Sequence, residues 1–138
     1  RGNLDYLKMR QPYMKELLKQ VCSHVDNKGQ EHLDGFRFLD WPTFEMTDVI
    51  ASGMRSLCYM ALNAGAEMER VLGDDDMVTM CRQAAGRLRK RPLPNYGNKE
   101  AAALRIISGL SKGTTDRDAK GILYFLWLLY VRGFSARG

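Results

Sequence analysis

Long apolar runs are scarce in this chain. The longest, residues 122–131, has about half of the roughly 18 residues that a membrane-spanning helix needs. The start of the chain also lacks the charged and then apolar pattern of a signal peptide. We therefore expect a soluble protein with no membrane partner, and the sequence leaves its compartment open.

Residues and motifs that often carry chemistry are equally sparse. The chain has no glycine-rich phosphate loop, no Ser-His-Asp set and no His-Glu-x-x-His motif. His24 and His32 are isolated, so we expect surface or supporting positions rather than catalysis. Cys22, Cys58 and Cys81 are odd in number, lack Cys-x-x-Cys spacing and occupy apolar helical positions, which predicts buried free thiols. We expect neither a metal ion nor another cofactor.

A strong charge of one sign is also absent. The formal net charge is +5, but acidic and basic residues are interspersed except at Arg87, Arg89, Lys90 and Arg91. These four cations lie at the predicted end of a helix, where they favour the negative pole of its dipole. A nucleic-acid surface would also need aromatic or groove-reading partners. We therefore expect no nucleic-acid partner.

Helical periodicity is what the sequence does contain, and the 45% hydrophobic content is enough for a core. A short helical turn is predicted from Asn3 or Asp5, and Pro12 is predicted to open a longer helix. That helix has an apolar stripe at intervals of three and four residues: Met14, Leu17, Leu18, Val21, Cys22 and Val25. Asn27 or Gly29 can then provide a left-handed helix cap.

The second predicted helix begins at a cap provided by Thr43, Thr47 or Asp48 and stops at Gly73. Its small residues near Gly65 suggest that another helix approaches closely. Its apolar face consists of Ile50, Met54, Leu57, Cys58, Ala61, Leu62, Gly65, Met68 and Leu72.

Three further helices complete the predicted inventory. The third helix is predicted to start at three acidic residues, Asp74, Asp75 and Asp76, because carboxylates favour the positive end of the helix dipole. These residues do not predict a calcium site, since they lack the alternating ligands of a calcium loop. Asn98 is predicted to cap the fourth, before Gly109 and Gly113, and the fifth contains residues 122–131. The stripe predicted for the third helix is Met77, Met80, Cys81, Ala84, Ala85 and Leu88, with Pro92 beyond its end. The fold class predicted is all-α, built of antiparallel helical hairpins.

The connection between the first two helices contains Asp-Gly-Phe-Arg-Phe-Leu-Asp-Trp-Pro at residues 34–42. Aromatic, acidic and basic side chains crowd together there outside any helical repeat. Alternation predicts an extended backbone, and Pro42 biases Trp41 away from helix. We expect Asp40 and Trp41 to be the candidate binding residues, with Trp41 as a structural plug as the alternative.

Three segments together resemble the catalytic domain of the α-L-rhamnosidases, which are six-hairpin glycosidases. Phe38-Leu-Asp-Trp-Pro-Thr43 is similar to their Asp-Trp loop, although Leu39 stands where a glycine is common and Pro42 stiffens the loop. The segment from Ala61 to Asp74 is similar to one of their helical hairpins, and Lys99-Glu-Ala-Ala-Ala-Leu104 to the start of the next. The hairpin pattern is shared with tetratricopeptide-type repeats, so the loop is the more specific part.

The resemblance implies an α/α toroid and the hydrolysis of terminal α-L-rhamnosides with inversion, by one carboxylic acid and one carboxylate. It implies that Asp40 and Trp41 contact the sugar of a rhamnose-containing glycan. The acid and base motifs of the family are not found in residues 1–138, so no catalytic residue is assigned. Asp34 and Glu45 are poor substitutes because both are expected in wet, polar surroundings. The alternative is a helical-repeat module that binds a protein partner.

The ends of the sequence suggest one all-helical piece, residues 1–138, of a larger catalytic domain. Such a piece would be inactive alone. It would also leave apolar helix faces uncovered, so we expect a homo-oligomer.

Overall fold

The computed structural model describes residues 3–39, 41–92 and 98–110, and this part of the chain is all-α. It contains four α-helices: α1 (Leu4–Ser23), α2 (Thr47–Leu72), α3 (Asp75–Lys90) and α4 (Lys99–Ile107). A short 3₁₀ turn, Trp41–Thr43, precedes α2. The all-α prediction is confirmed, while the fifth predicted helix, at residues 122–131, lies outside the described residues.

Contacts at the two ends of the bundle show that successive helices run in opposite directions. At one end Gln11 Nε2 of α1 donates to Glu69 Oε2 near the end of α2, at 2.8 Å. At the other end Arg55, in the first half of α2, donates from Nη2 to the carbonyl oxygen of Arg91, at 2.7 Å, just after α3. The helical hairpins predicted from the sequence are therefore present. Closure into a toroid would require further helices and stays a prediction.

The core lies where α2 meets α1 and α3. Leu62, Cys81 and Leu88 are fully buried there, and Leu110 packs on from beyond α4. At Gly65 the helices approach so closely that a Cβ would overlap the side chain of Leu18, which confirms the predicted close approach. The principal buried members are Leu18, Cys22, Val25, Cys58, Tyr59, Leu62, Ala66, Met77, Cys81, Ala84, Ala85, Leu88 and Leu110.

Several predicted core positions are wrong, among them Ala61, which is exposed. Leu17 and Met80 belong to the predicted stripes but are each more than 40% exposed. Both lie at the edge of the stripe, and no described neighbouring helix covers that side. Tyr59 was missed because it falls beside, not within, the predicted stripe of α2.

The predicted helix starts agree with the structure where the N-cap residue has a short polar side chain. Asn3, Asp74 and Asn98 each accept a hydrogen bond from the backbone N–H three residues later. The prediction for α2 is wrong, because its N-cap is Met46, which makes no side-chain capping bond. Gly73 ends α2 in the left-handed conformation, as predicted.

Pro12 does not open a helix, contrary to prediction, but lies inside the continuous α1. A proline lacks an N–H and usually interrupts a helix. The Asn3 cap starts the helix about two turns before Pro12. The core contacts of the later turns stabilise the rest of the helix.

Gly29 and Gly73 provide a matched pair for testing the turn after α1. Both have a positive φ, but a Cβ at Gly29 would overlap the carbonyl oxygen of Arg87, whereas a Cβ at Gly73 would meet no atom within 4 Å. We expect Gly73→Ala to lower the free energy of unfolding by about 1–2 kcal/mol from backbone strain alone. Gly29→Ala should cost about 1–3 kcal/mol more, because the backbone oxygen cannot move aside easily.

Urea titrations followed by circular dichroism would measure both values. Equal losses in the two variants would contradict the close approach of the turn to α3.

Candidate functional site

The connection between α1 and α2 is held to the bundle at its start by a compact turn. The turn at residues 26–29 is closed by a bond from Gly29 N–H to the Asp26 carbonyl oxygen, at 3.1 Å. An isolated antiparallel bridge pairs Val25 with Glu31 beyond it. Asp26 Oδ1 also accepts from the backbone N–H of Gln30, at 2.8 Å. The backbone therefore leaves α1 along a defined path.

A buried carboxylate fixes the middle of the connection. Glu31 is only 1% exposed, and its Oε1 is paired with Nη2 of Arg37. Its Oε2 accepts from the backbone N–H of Leu33, at 3.2 Å. Burial of a carboxylate is costly unless it is paired and hydrogen-bonded, so this arrangement strongly restricts the segment between Glu31 and Arg37.

Two side chains fasten the end of the connection to α2. Leu39 packs on Gly53 so closely that a Cβ at that glycine would overlap its side chain. Thr43 is fully buried, and its carbonyl oxygen accepts from Met46 N–H at 2.8 Å. Leu39, which departs from the family loop, is thus an anchor. Trp41 lies in no α-helix, but it begins a short 3₁₀ turn instead of continuing the predicted extended backbone.

Between these anchors four aromatic rings form a surface cluster, called here the aromatic cluster: Phe36, Phe38, Trp41 and Phe44. Phe38 is central, with ring centroids 5.9 Å from Phe36, 5.2 Å from Trp41 and 6.4 Å from Phe44. Trp41 is 80% exposed and Phe36 78% exposed. The described part of the chain does not bury Trp41, and whether it plugs the end of a complete barrel stays a prediction. Of the four rings only Trp41 was predicted as a binding residue, although the close spacing of Phe36, Phe38 and Phe44 was a signal for the others.

The aromatic cluster offers binding surface but no catalytic machinery of its own. Exposed rings bury apolar area against a ligand and leave the polar edge of the indole free to hydrogen-bond. Asp40, the other predicted site residue, lies outside the described residues. Asp34 and Glu45 are exposed, as expected, and so are not shielded acids. The arrangement can hold an apolar ring face, and chemistry would need carboxylates from elsewhere.

Nucleophilic catalysis by a thiol is disfavoured by burial. All three cysteines are free and buried, as predicted. Burial raises the pKa of Cys22 and of Cys58, and burial followed by the neighbouring Cys22 raises the pKa of Cys81 to about 12. A thiol must lose its proton to act as a nucleophile, so these groups are inert at neutral pH.

Neither a metal centre nor a membrane span is found within the described ranges. There, no three His, Cys, Asp or Glu side chains are grouped to hold an ion. None of the helices described is both long and apolar enough to traverse a bilayer.

The histidines contact structural rather than catalytic groups. His32 Nε2 lies 2.9 Å from Asp26 Oδ2 and is exposed, while His24 is half-buried at the end of α1 and its carbonyl oxygen accepts from His32 N–H at 2.8 Å. The bond from His32, followed by the backbone N–H of Gln30, lowers the pKa of Asp26 to about 2.

Comparison of this chain with models of protein families, with curated proteins and with solved structures finds no match. The resemblance to the α-L-rhamnosidases therefore stays a hypothesis that depends on the motifs quoted above.

The depressed pKa of Asp26 gives a pH prediction. Because its pKa falls from 3.8 to about 2 on folding, the Asp26 carboxylate stabilises the turn above pH 3.8 and loses that effect as the pH falls toward 2. We expect His32→Ala to raise the pKa of Asp26 while leaving it below 3.8, since the backbone donors remain. Carbon-detected NMR titration of the carboxyl group would measure it.

His24→Ala is the matched control, because the His24 side chain does not contribute to that shift. An unchanged Asp26 pKa in His32→Ala would contradict the assignment of His32 as the main cause.

Proposed function

We propose that this chain is part of a glycoside hydrolase catalytic domain of the α-L-rhamnosidase type, in which the aromatic cluster contacts a terminal rhamnosyl residue. The observation that carries the proposal is the 80% exposure of Trp41 on a long, firmly anchored connection at one end of antiparallel helices. Burial of such a large apolar ring would usually be favourable. An anchored loop that holds it in solvent suggests a ligand that covers it.

A rhamnosyl residue suits this surface. Its methyl group and the C–H face of its ring are apolar and could lie on the indole, with Phe36 and Phe44 at the edges. Its hydroxyl groups need hydrogen-bond acceptors, the role that the family resemblance gives to Asp40. Inversion would use two carboxylates about 6.5–9.5 Å apart, supplied by parts of the domain other than residues 1–138.

The outer face of α1 supports the toroid in which such a domain would be built. Tyr6, Met9, Tyr13 and Leu17 follow one another at intervals of three and four residues, so they share one side of the helix. Tyr13 is 67% exposed, and all four are substantially exposed on the side away from the core. A further hairpin packed there would bury this stripe, as successive hairpins do in a toroid.

The alternative is a helical-repeat module that binds a protein through the same rings. One observation disfavours it: the connection from α1 to α2 runs over residues 24–46, whereas α2 and α3 are joined by only two residues, Gly73 and Asp74. Repeat modules join their helices with uniformly short turns and bind partners on stacked helix faces. A long loop with its own buried ion pair is more typical of a barrel with a loop-lined opening.

A sugar titration tests the proposal. We expect L-rhamnose to bind the chain weakly and to shift the NMR signal of the Trp41 indole N–H. Trp41→Ala should lose about tenfold in affinity, equivalent to about 1.4 kcal/mol, because the stacking surface is removed. Tyr13→Ala, which removes an exposed ring on α1, is the matched control and should bind normally.

Equal losses of rhamnose affinity in the two variants would refute the sugar-binding role. So would a Trp41 indole signal that does not shift with rhamnose but does shift when a peptide is added. Residues 1–138 alone should not hydrolyse an aryl α-L-rhamnoside, whereas a longer chain that contains them should. A longer chain that releases no sugar from a panel including rhamnosides would refute the enzymatic part.

The exposed stripe on α1 leads us to propose that the 138-residue chain self-associates. Light scattering should show a dimer or higher oligomer whose population rises with concentration, because contact between stripes would remove apolar surface from water. Met9→Lys combined with Tyr13→Lys should shift the equilibrium toward monomer.

Ser23→Lys, an exposed change at the end of the same helix, is the control and should leave association unchanged. A monomer at high concentration in the unmodified chain would contradict the prediction.

A further inference from the structure

A strongly basic pocket lies where the turn after α1 meets the end of α3, apart from the aromatic cluster. Its volume is about 500 Å³, which is large enough for a small molecule. Among the described residues that line it, four of six carry a positive charge and none is acidic. The lining residues, called here the basic pocket, are Asn27, Lys28, Arg87, Lys90, Arg91 and Pro92.

The walls of the pocket are held in place by close backbone packing. Gly29 is buried directly against the carbonyl oxygen of Arg87, a position in which any side chain would overlap α3. Nη2 of Arg87 also lies 3.4 Å from the carbonyl oxygen of Val25. The turn that carries Lys28 is therefore fixed relative to the helix that carries Arg87 and Lys90.

Three of the four cations of the pocket are not paired with an acid by the described part of the fold, and the fourth, Arg87, is only partly hydrogen-bonded. Lys28, Lys90 and Arg91 form no ion pair within the described part of the chain. Nε of Arg87 is buried and has no hydrogen-bond partner there. An unpartnered donor of this kind costs free energy unless a ligand or solvent satisfies it.

The two local features that could neutralise these cations already have partners. The negative end of α3 attracts cations, but Arg55, which is buried, lies there and donates to the carbonyl oxygens of Arg91 and Pro92. The nearby carboxylate of Asp26 accepts from the backbone N–H groups of Lys28 and Gln30 and contacts His32. Asp26 remains negatively charged beside the turn, but it does not line the pocket, so it compensates the four positive charges of the lining only in part.

We propose that the basic pocket binds the tetrahedral oxyanion of a small molecule, a phosphate monoester or a sulfate ester. Arg87 and Arg91 provide planar guanidinium groups that donate paired hydrogen bonds to such oxygens, and Lys28 and Lys90 add charge. Four cations suit an anion with up to two negative charges and several acceptor oxygens better than a single carboxylate. The inference does not depend on the proposed glycosidase activity.

Titration of the 138-residue chain with inorganic phosphate, inorganic sulfate and acetate at constant ionic strength tests this proposal. We expect phosphate or sulfate, but not acetate, to shift the NMR signals of the arginine Nε–H groups that line the pocket. Stronger binding of phosphate would identify a phosphate monoester as the ligand class, and stronger binding of sulfate would identify a sulfate ester.

Arg91→Gln is the informative variant, because the fold uses the backbone carbonyl of Arg91 and not its guanidinium. We expect it to weaken phosphate binding about tenfold, as for the loss of one charge-assisted contact. Arg89→Gln is the matched control, since Arg89 is exposed in the last turn of α3, two residues before Arg91, carries the same charge and does not line the pocket.

Arg89→Gln should change the affinity by less than about twofold. Equal weakening by the two substitutions would show only a diffuse charge effect and would overturn the proposal. Acetate binding as tightly as phosphate, or absence of any shift with all three anions, would overturn it as well.

Discussion

The buried pairing of Glu31 with Arg37 is the constraint on which the functional surface depends. A connection of more than twenty residues loses considerable conformational entropy when it is ordered, and its exposed side chains, such as Phe36 and Trp41, bury too little area to offset that loss. A carboxylate with almost no solvent exposure must keep its partners, so Arg37 and the Leu33 N–H cannot move far from it. The aromatic cluster begins immediately beside Arg37, and its orientation follows from that pairing.

Much of the fold could be predicted from the sequence, because its determinants are local. Three of the four N-caps follow from a short polar side chain placed three residues before a backbone N–H that needs an acceptor. The close approach at Gly65 follows from the absence of a side chain there. The starts of α1, α3 and α4 and the main buried stripe needed no knowledge of the tertiary structure.

The errors have a common physical origin, which is that long-range contacts override local pattern. Arg55 and Glu69 lie on α2 among apolar residues and are buried, although charged residues are usually assigned to the solvent face. Each has a partner on another element: Arg55 donates to the carbonyl oxygens after α3, and one carboxylate oxygen of Glu69 accepts from Gln11 of α1, while its Oε1 has no partner in the described part of the chain. The apolar pattern of a single helix gives no information about partners that lie on other elements.

The candidate site could be predicted only in part, because it too depends on long-range contacts. The composition of residues 34–42 identifies the segment and Trp41, but the ring packing depends on anchors distant in sequence. Leu39 departs from the family loop in sequence, yet in the structure it seats the loop in the space left by Gly53. Pairs of this kind, separated along the chain and joined only by packing, cannot be recognised from one sequence without knowing the fold.

The two ends of the helical bundle differ in a way that bears on function. At the end where α2 joins α3, polar side chains contact one another across helices, as in Lys15 with Asp74 and Gln11 with Glu69, although Glu69 Oε1 has no partner in the described part of the chain, and the connection is minimal. At the opposite end the chain maintains exposed aromatic rings and unpaired cations, both of which oppose stability unless something binds them. If stability were the only requirement, both ends would be expected to have short connections and polar contacts across helices. The aromatic cluster and the basic pocket lie at the same end, beside a loop that a buried ion pair restrains, and this combination is the strongest physical reason to seek the ligands of this protein there.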